Sequence, residues 1–363
     1  MLNRRSFHLG LAAAGLTFGH AHAQPGVTIP FQERDGRLVA DVRVDGQGPY
    51  SFMIDTGSDI GMISNSLAQT LRLPYAGMEQ LNGGGQFPLL TVDSLDISNR
   101  LKLRGLTYAV TPDGMLWQGS VSCGLLTNRR ALVDFDRGMI DFPGDRAGFT
   151  ALNTHFNKPW APCFATDVTI NGLTLPALWD TGDPRTISIS DTTARQLGLW
   201  RDDVPYAPFR GSDVNGPKPY ITRIVRAKSV SVLGSCHFNT FAFLEAQIDM
   251  PVLGLELVKT VNFAIDPAVG VFARRNAQAP ETPNYPRSGV LFDRTEAGVV
   301  VGDVGFGSPA ARAGVRAGDM LAGISQLEDG GVLISGPVGK AVSLSLLRNG
   351  QPVKAQFQLE DYL

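Results

Sequence analysis

Asp-Thr-Gly occurs twice in this chain, and each copy closes an apolar run: Phe52-Met53-Ile54-Asp55-Thr56-Gly57 and Ala177-Leu178-Trp179-Asp180-Thr181-Gly182. A carboxylate at the end of an apolar strand is costly to ionise unless something supports its charge. Two such groups brought face to face do not both ionise readily, so they hold one proton between them. The pair then contains a base and an acid at once. The base can take a proton from water while the acid stabilises a developing oxyanion.

Other catalytic chemistries are poorly supplied. His8, His20 and His22 lie in the leader, and His155 and His237 have no metal-ligand pattern around them. The chain has no His-Glu-x-x-His, no Gly-x-Ser-x-Gly and no phosphate-cradling Gly-rich loop with a Lys. No metal and no cofactor are therefore expected. A net charge of −2 gives no electrostatic argument for nucleic acid or for an anionic membrane.

The aspartates must be carried by elements, and the flanking residues predict the same ones twice. Val39 to Val44 alternates and ends in Asp45-Gly46, and Ala165 to Ile170 alternates and ends in Asn171-Gly172. Asp-Gly and Asn-Gly favour tight hairpin turns. Each copy therefore reads as strand, turn, strand, Asp-Thr-Gly. Downstream, Val121-Ser122-Cys123-Gly124-Leu125-Leu126 matches Val252-Leu253-Gly254-Leu255, at nearly the same distance from its aspartate. The chain thus contains a two-copy internal repeat. Its 363 residues, 43% hydrophobic with Gly 41 and Pro 23, suit a turn-rich β protein with two or three cores.

Asn3-Arg4-Arg5-Ser6-Phe7, the apolar stretch Leu9 to Phe18 and Ala21-His22-Ala23 make the three parts of an export signal over 1–23. The paired arginines resemble a twin-arginine signal, and an ordinary secretory signal is the other option. Either places the mature protein in the periplasm or outside the cell. No other stretch reaches the roughly 18 apolar residues of a spanning helix. In an oxidising compartment three cysteines leave at least one unpaired within the chain. Cys123 reads as a small buried hydrophobe, and a Cys163–Cys236 disulfide is one option for the others.

With strand, Asp-Thr-Gly, strand, Gly-rich hairpin and apolar-apolar-Gly segment, residues 30–145 and 160–275 each resemble the retropepsin-like aspartic proteases. The resemblance implies a mainly β fold of two closed β-barrel halves, 24–148 and 149–276, joined in a bilobal, pepsin-like unit. Asp55 and Asp180 would then be the catalytic dyad. Thr56 and Thr181 would hydrogen-bond across the interface, and Gly57 and Gly182 would let backbone pass close to the carboxylates. Gly83, Gly84 and Gly85 would lie in one flap and Gly211 in the other. An extended polypeptide is the implied substrate, and a monomer with an internal pseudo-dimer the implied assembly.

The two loops differ from each other. Ser58 follows the first Asp-Thr-Gly, as the family prefers, and would hydrogen-bond the ionised aspartate. Asp183-Pro184 follows the second, where a third carboxylate would raise the dyad's pKa or else point to water beside Arg185. Gly61 stands where a Ser or Thr is typical, while Thr186 keeps the hydroxyl. These departures leave open a catalytically weak or inactive peptide-binding protein.

A Pro-rich linker is expected over 277–286, and the pattern then changes. Gly298 to Val304 reads as a strand, and Ser308-Pro309 as the cap and first turn of a short helix ending at Gly314. Gly307-Ser308-Pro309-Ala310-Ala311-Arg312-Ala313-Gly314-Val315-Arg316-Ala317-Gly318-Asp319 resembles the signature of bacterial PDZ domains, implying an α+β PDZ domain over 287–363. Gly289, Val290, Leu291 and Phe292 would form its carboxylate-binding loop for a peptide's C-terminus. The glycines between Gly330 and Lys340 predict a short groove helix.

Overall fold

The computed structural model describes residues 26–81, 85–114, 117–156, 162–213, 216–218, 220–232, 235–246, 248–276, 285–322, 334 and 336–363. The expected leader, Gly83, Gly84, residues 277–284 of the linker and residues 330–333 and 335 of the expected groove helix lie outside them. Among the described residues no helix is long and apolar enough to cross a membrane.

Two eight-stranded sheets dominate. Spatial order in the N-terminal sheet is Gln32–Arg34, Arg37–Val44, Gln47–Ile54, Gly119–Val121, Gly61–Ser64, Leu101–Thr111, Gln86–Ile97 and Tyr75–Gln80. Spatial order in the middle sheet is Thr154–His155, Ala165–Ile170, Leu173–Asp180, Val252–Gly254, Ile187–Ser190, Ser235–Glu245, Thr222–Val232 and Ala207–Phe209. Position by position the order is the same. Each sheet also closes on itself, by Arg37–Val44 pairing with Gln86–Ile97 and Ala165–Ile170 pairing with Thr222–Val232. The turns that set these hairpins are Asp45-Gly46 and Asn171-Gly172, all four residues at positive φ. A type I′ turn needs that geometry, and it matches the twist of the strands it joins.

A third, six-stranded sheet joins the other two, in the order Val27–Pro30, Met139–Phe142, Ala131–Asp134, Val261–Asp266, Gly270–Arg275 and Thr150–Ala151. Its central pairing sets Leu132 against Ala264. Asn262 ties this seam, accepting the Phe135 N–H at 2.8 Å and donating to Asp136 at 2.7 Å. The halves therefore share a sheet, which neither repeat predicts when read alone.

One apolar cluster runs through both closed sheets. At its centre Trp179 is fully buried, edge-on to Phe263 at 5.0 Å and tilted against Phe164 at 5.6 Å. The indole N–H donates to Thr166 Oγ1 at 2.8 Å, so the one polar atom of the ring is satisfied. Trp179→Ala empties a site on the strand that carries Asp180 and is expected to cost about 3–5 kcal/mol. Denaturant unfolding would read this as a lower midpoint at unchanged slope, and an unchanged midpoint would refute it.

The C-terminal part is a five-stranded sheet, ordered Val290–Thr295, Gly298–Val304, Met320–Leu321, Ala341–Arg348 and Gln351–Gln358, with its own apolar cluster. Ser308 caps the helix Pro309–Arg312 by accepting the Ala311 N–H at 3.1 Å, with Pro309 in its first turn. The end of the expected linker is not free chain. Tyr285 is buried and packs edge-on against Phe241 at 4.8 Å.

Candidate active site

Both aspartates sit where a strand gives way to a loop at the junction of the two closed sheets. Asp55 follows Gln47–Ile54, and its N–H donates to the Val121 carbonyl at 2.9 Å. Asp180 ends Leu173–Asp180 and lies opposite Gly254 in a parallel pairing. After each loop comes a short strand and then a helix with the same cap: Ser64 receives the Leu67 N–H, and Ser190 the Thr193 N–H.

The threonines bind the loops together reciprocally. The Thr56 N–H donates to Thr181 Oγ1 at 3.1 Å, and the Thr181 N–H to Thr56 Oγ1 at 3.0 Å. Each hydroxyl then donates onward to the other side, Thr56 to the Trp179 carbonyl at 2.7 Å and Thr181 to the Ile54 carbonyl at 2.6 Å. All four bonds are buried. Thr181→Val keeps the shape but strands the Thr56 N–H and the Ile54 carbonyl, each worth about 1–3 kcal/mol unpaired. A loss of about 2–6 kcal/mol is expected, and calorimetry showing less than about half a kcal/mol would contradict it.

This brace sets the carboxyls of Asp55 and Asp180 on either side of Gly182, where an added Cβ would lie 2.9 Å from Asp55 Oδ1 and 3.1 Å from Asp180 Oδ1. The Gly57 N–H donates to Asp55 Oδ1 at 2.9 Å, and the N–H groups of Gly182 and Asp183 to Asp180 Oδ1 at 2.8 and 3.1 Å. Glycine is required at both loops for space. A Cβ on Gly57 would lie 2.3 Å from Asp180 Cγ, and one on Gly182 would lie 2.9 Å from Asp55 Cγ.

Burial raises the pKa of both carboxyls, and the shift is larger at Asp180. Asp55 is supported by the backbone N–H groups of Gly57 and Ser58 and, more weakly, by Arg37. Asp180 feels burial first, then the charge of Asp55, then the charge of Asp183. Both carboxyls are therefore held toward their neutral forms, Asp180 the more strongly.

Several loop residues are placed differently from their sequence expectation. The Ser58 hydroxyl donates to the Ile60 carbonyl at 2.8 Å, and it is the Ser58 backbone that supports Asp55. Asp183 does not point to water. It is buried in a two-pronged pair with Arg185, Nε to Oδ1 at 2.7 Å and Nη2 to Oδ2 at 2.8 Å, and this guanidinium holds its pKa below the usual range. Pro184 packs on the turn of the first sheet at Gly36. At Gly61 no hydroxyl fits, because a Cβ there would lie 2.5 Å from the Tyr108 ring. Thr186 does keep its hydroxyl, which donates to the Phe241 carbonyl.

The cysteines also depart from expectation. Cys163 is a free, buried thiol whose Sγ lies 3.0 Å from that of Cys123, so it is not in a disulfide with Cys236. Residues 40 apart on opposite sides of the junction meet here, which spacing along the chain could not reveal.

Of the expected flap residues, Gly85 lies just before the long strand Gln86–Ile97, and its carbonyl accepts the Leu81 N–H at 3.1 Å. Gly211 lies just before the hairpin Ser212–Asp213/Gly216–Pro217, its carbonyl accepting the Lys218 N–H at 2.9 Å. In the C-terminal sheet, Val290, Leu291 and Phe292 open the edge strand, and Val290 and Phe292 are core residues. Two N–H groups of the expected carboxylate loop have internal acceptors: Gly289 donates to the Pro286 carbonyl at 2.9 Å, and Val290 to Ser288 Oγ at 3.3 Å.

Sequence reasoning missed one partner of Arg185 and the group beyond it. Its Nη1 pairs with the buried Glu245, and Glu245 in turn pairs with Lys218. Arg185 was visible beside Asp183, whereas no local pattern marks Glu245 or Lys218.

Residues 40–127 match a family model described as aspartyl protease, Asp_protease_2. Among solved structures, the chain is similar to a retropepsin-like aspartic protease from Rickettsia conorii, at 20% identity, over 30% of this chain and 78% of that one, with a TM-score of 0.24. No curated protein matches the chain.

Proposed function

We propose that the chain is an exported aspartic endopeptidase that hydrolyses extended polypeptides through Asp55 and Asp180, with a PDZ-like module over 287–363. The observation that carries this reading is the pair of carboxyls held together by the reciprocal Thr56 and Thr181 bonds. The aspartyl protease match over 40–127 supports it and includes Asp55. The leader over 1–23 supports export to the periplasm or beyond.

In this reading Asp55, ionised, takes a proton from a water lying between the carboxyls. The resulting hydroxide attacks the peptide carbonyl carbon, and Asp180 gives its proton to the carbonyl oxygen. Collapse of the tetrahedral intermediate breaks the C–N bond. The amine leaves with the proton that Asp55 took, and the hydroxyl proton returns to the pair. Both aspartates move protons at the reacting atoms, and the threonines only position them.

Purified mature protein is expected to cleave an unfolded protein at acid to neutral pH. Asp55→Asn lowers the rate by about 10²–10⁴-fold, and undiminished cleavage by that variant would overturn the dyad. The pH profile follows from one proton on the pair: the rate falls as pH rises through the raised ionisation of Asp180. The second reading, a protein that binds peptide in the cleft and the PDZ groove without turnover, rests on Asp183, Gly61 and the short groove helix. Arg185 pairs the first, and Tyr108 fills the space of the second. Peptide binding without turnover by the wild type would restore that reading.

A further inference from the structure

A line of charged groups runs from the loop of Asp180 to the C-terminal sheet. Asp183, three residues after the aspartate, is held in two prongs by Arg185. Arg185 also pairs with Glu245, whose side chain is fully buried, and stacks over Phe243 at 5.3 Å. The other oxygen of Glu245 takes the Lys218 ammonium. Lys218 directly follows the hairpin Ser212–Asp213/Gly216–Pro217 and closes its base, its N–H bonded to the Gly211 carbonyl.

Arg210 grips this base from the other side. Its Nη1 donates to the Lys218 carbonyl at 3.1 Å, and its Nη2 to Asp293 Oδ1 at 2.9 Å. Asp293 lies on Val290–Thr295, the edge strand of the C-terminal sheet. That sheet is seated tightly on the middle one. A Cβ on Gly305 would lie 1.8 Å from the Tyr206 carbonyl oxygen, Tyr362 donates to that same oxygen at 3.0 Å, and Arg226 donates to the Leu363 carbonyl at 2.6 Å.

We propose that Asp293, Arg210, Lys218, Glu245, Arg185 and Asp183 form a positioning line through which the C-terminal module sets the second hairpin and the loop of Asp180. The inference rests on the endopeptidase reading for its catalytic consequence, and on the contacts alone for the coupling. The interior of the line cannot adjust piecemeal. Asp183, Arg185 and Glu245 are largely out of water, and an unpaired charge there is expensive. A shift of Lys218 therefore pulls Glu245 and Arg185 with it or leaves a buried charge bare. The outer link is different. Arg210 and Asp293 are partly exposed, so their pair can open without such a penalty. The outer link is where a ligand on the module could act, and the inner links carry the displacement to the aspartate. Apart from the Asp183 backbone N–H, which donates to Asp180 Oδ1 at 3.1 Å, none of these residues reaches the two aspartates, and their side chains are all positioning groups.

The charges that face the inner groups are few. Asp183 faces Arg185, Arg37 and Asp180, and Asp180 faces Asp55 and Asp183. Glu245 faces Arg185 and Lys218, while Lys218 also approaches the Tyr220 ring at 5.7 Å.

The test uses the mature chain with Arg210→Asp, with Asp293→Arg, and with both. Two readouts are taken: hydrogen exchange of the segment 180–187, and KM against kcat on an unfolded protein. Each single variant is expected to speed exchange in 180–187 and raise KM about fivefold, with kcat changed less. The charge-swapped double variant re-forms the 210–293 pair but has no donor for the Lys218 carbonyl, so both readouts are expected to return part of the way toward wild type, to less than half the effect of Arg210→Asp. Exchange and KM unmoved in the single variants, or no recovery in the double, overturns the coupling. If the wild type cleaves nothing but exchange responds and partly recovers, the coupling stands and the endopeptidase reading falls.

Discussion

Asp180→Asn is expected to lower turnover by about 10²–10⁴-fold and, at neutral pH, to raise the melting temperature. On the endopeptidase reading the loss follows from removing the proton donor of the pair. The gain follows from linkage. The pKa of Asp180 in the folded chain is raised, by burial first and then by the charges of Asp55 and Asp183. A group raised in this way adds stability below its unfolded value of about 3.9. That contribution fades as pH rises through the folded value. At neutral pH the carboxylate thus opposes folding. An asparagine does not ionise, and its carbonyl can still accept the N–H groups of Gly182 and Asp183. Scanning calorimetry of both proteins between about pH 4 and 7 should show the two curves separating as pH rises. Curves that run parallel would defeat the argument. The sign is opposite at Asp183, whose pKa is lowered in the fold. Its contribution is present above about pH 4 and is lost as pH falls through its folded value, so wild type and variant share that acid limb.

Gly57→Ala is expected to cost at least about 100-fold in kcat/KM with a modest loss of stability. The new methyl would sit 2.3 Å from Asp180 Cγ and 2.6 Å from both its oxygens. One group must retreat by about 1 Å, and a misplacement of that size costs on the order of 10²-fold. Overpacking adds about 1–3 kcal/mol against folding. Gly182→Ala meets Asp55 Cγ at 2.9 Å and should be the milder change. Steady-state kinetics on the two variants give the ranking, and Gly182→Ala proving the more damaging would contradict this geometry.

The sequence disclosed what is local and repeated. Asp-Gly and Asn-Gly marked the hairpins because only certain residues accept the positive φ of their turns. Ser308-Pro309 marked a helix start because cap and first-turn chemistry is local. The aspartates stood out because a charge ending an apolar run is anomalous wherever it occurs. What stayed hidden depends on distant partners. Ser58 could serve Asp55 by hydroxyl or by backbone, and the choice falls to the backbone because the Ile60 carbonyl takes the hydroxyl. Gly61 looked like a missing hydroxyl until the Tyr108 ring filled its space. Asp183 looked like an intrusion on the dyad, but Arg185 compensates it and Glu245 and Lys218 complete the arrangement. Cys123 and Cys163 meet because two sheets meet, and neither neighbourhood in the chain announces it.

On the endopeptidase reading, the seam between Ala131–Asp134 and Val261–Asp266 bears on when the protein becomes dangerous to its maker. Chain leaves the ribosome N-terminus first, and domains begin to fold as they emerge. Asp55 is synthesised early, but the strand that completes the seam comes late, with Asn262 reaching back 127 positions to Phe135. Contacts of such long range form slowly because their loop entropy is lost before they stabilise anything. On the endopeptidase reading, a chain truncated before Asp180 carries one aspartate without its partner, and hydrolytic capacity arrives only with nearly the whole of residues 24–276 in place.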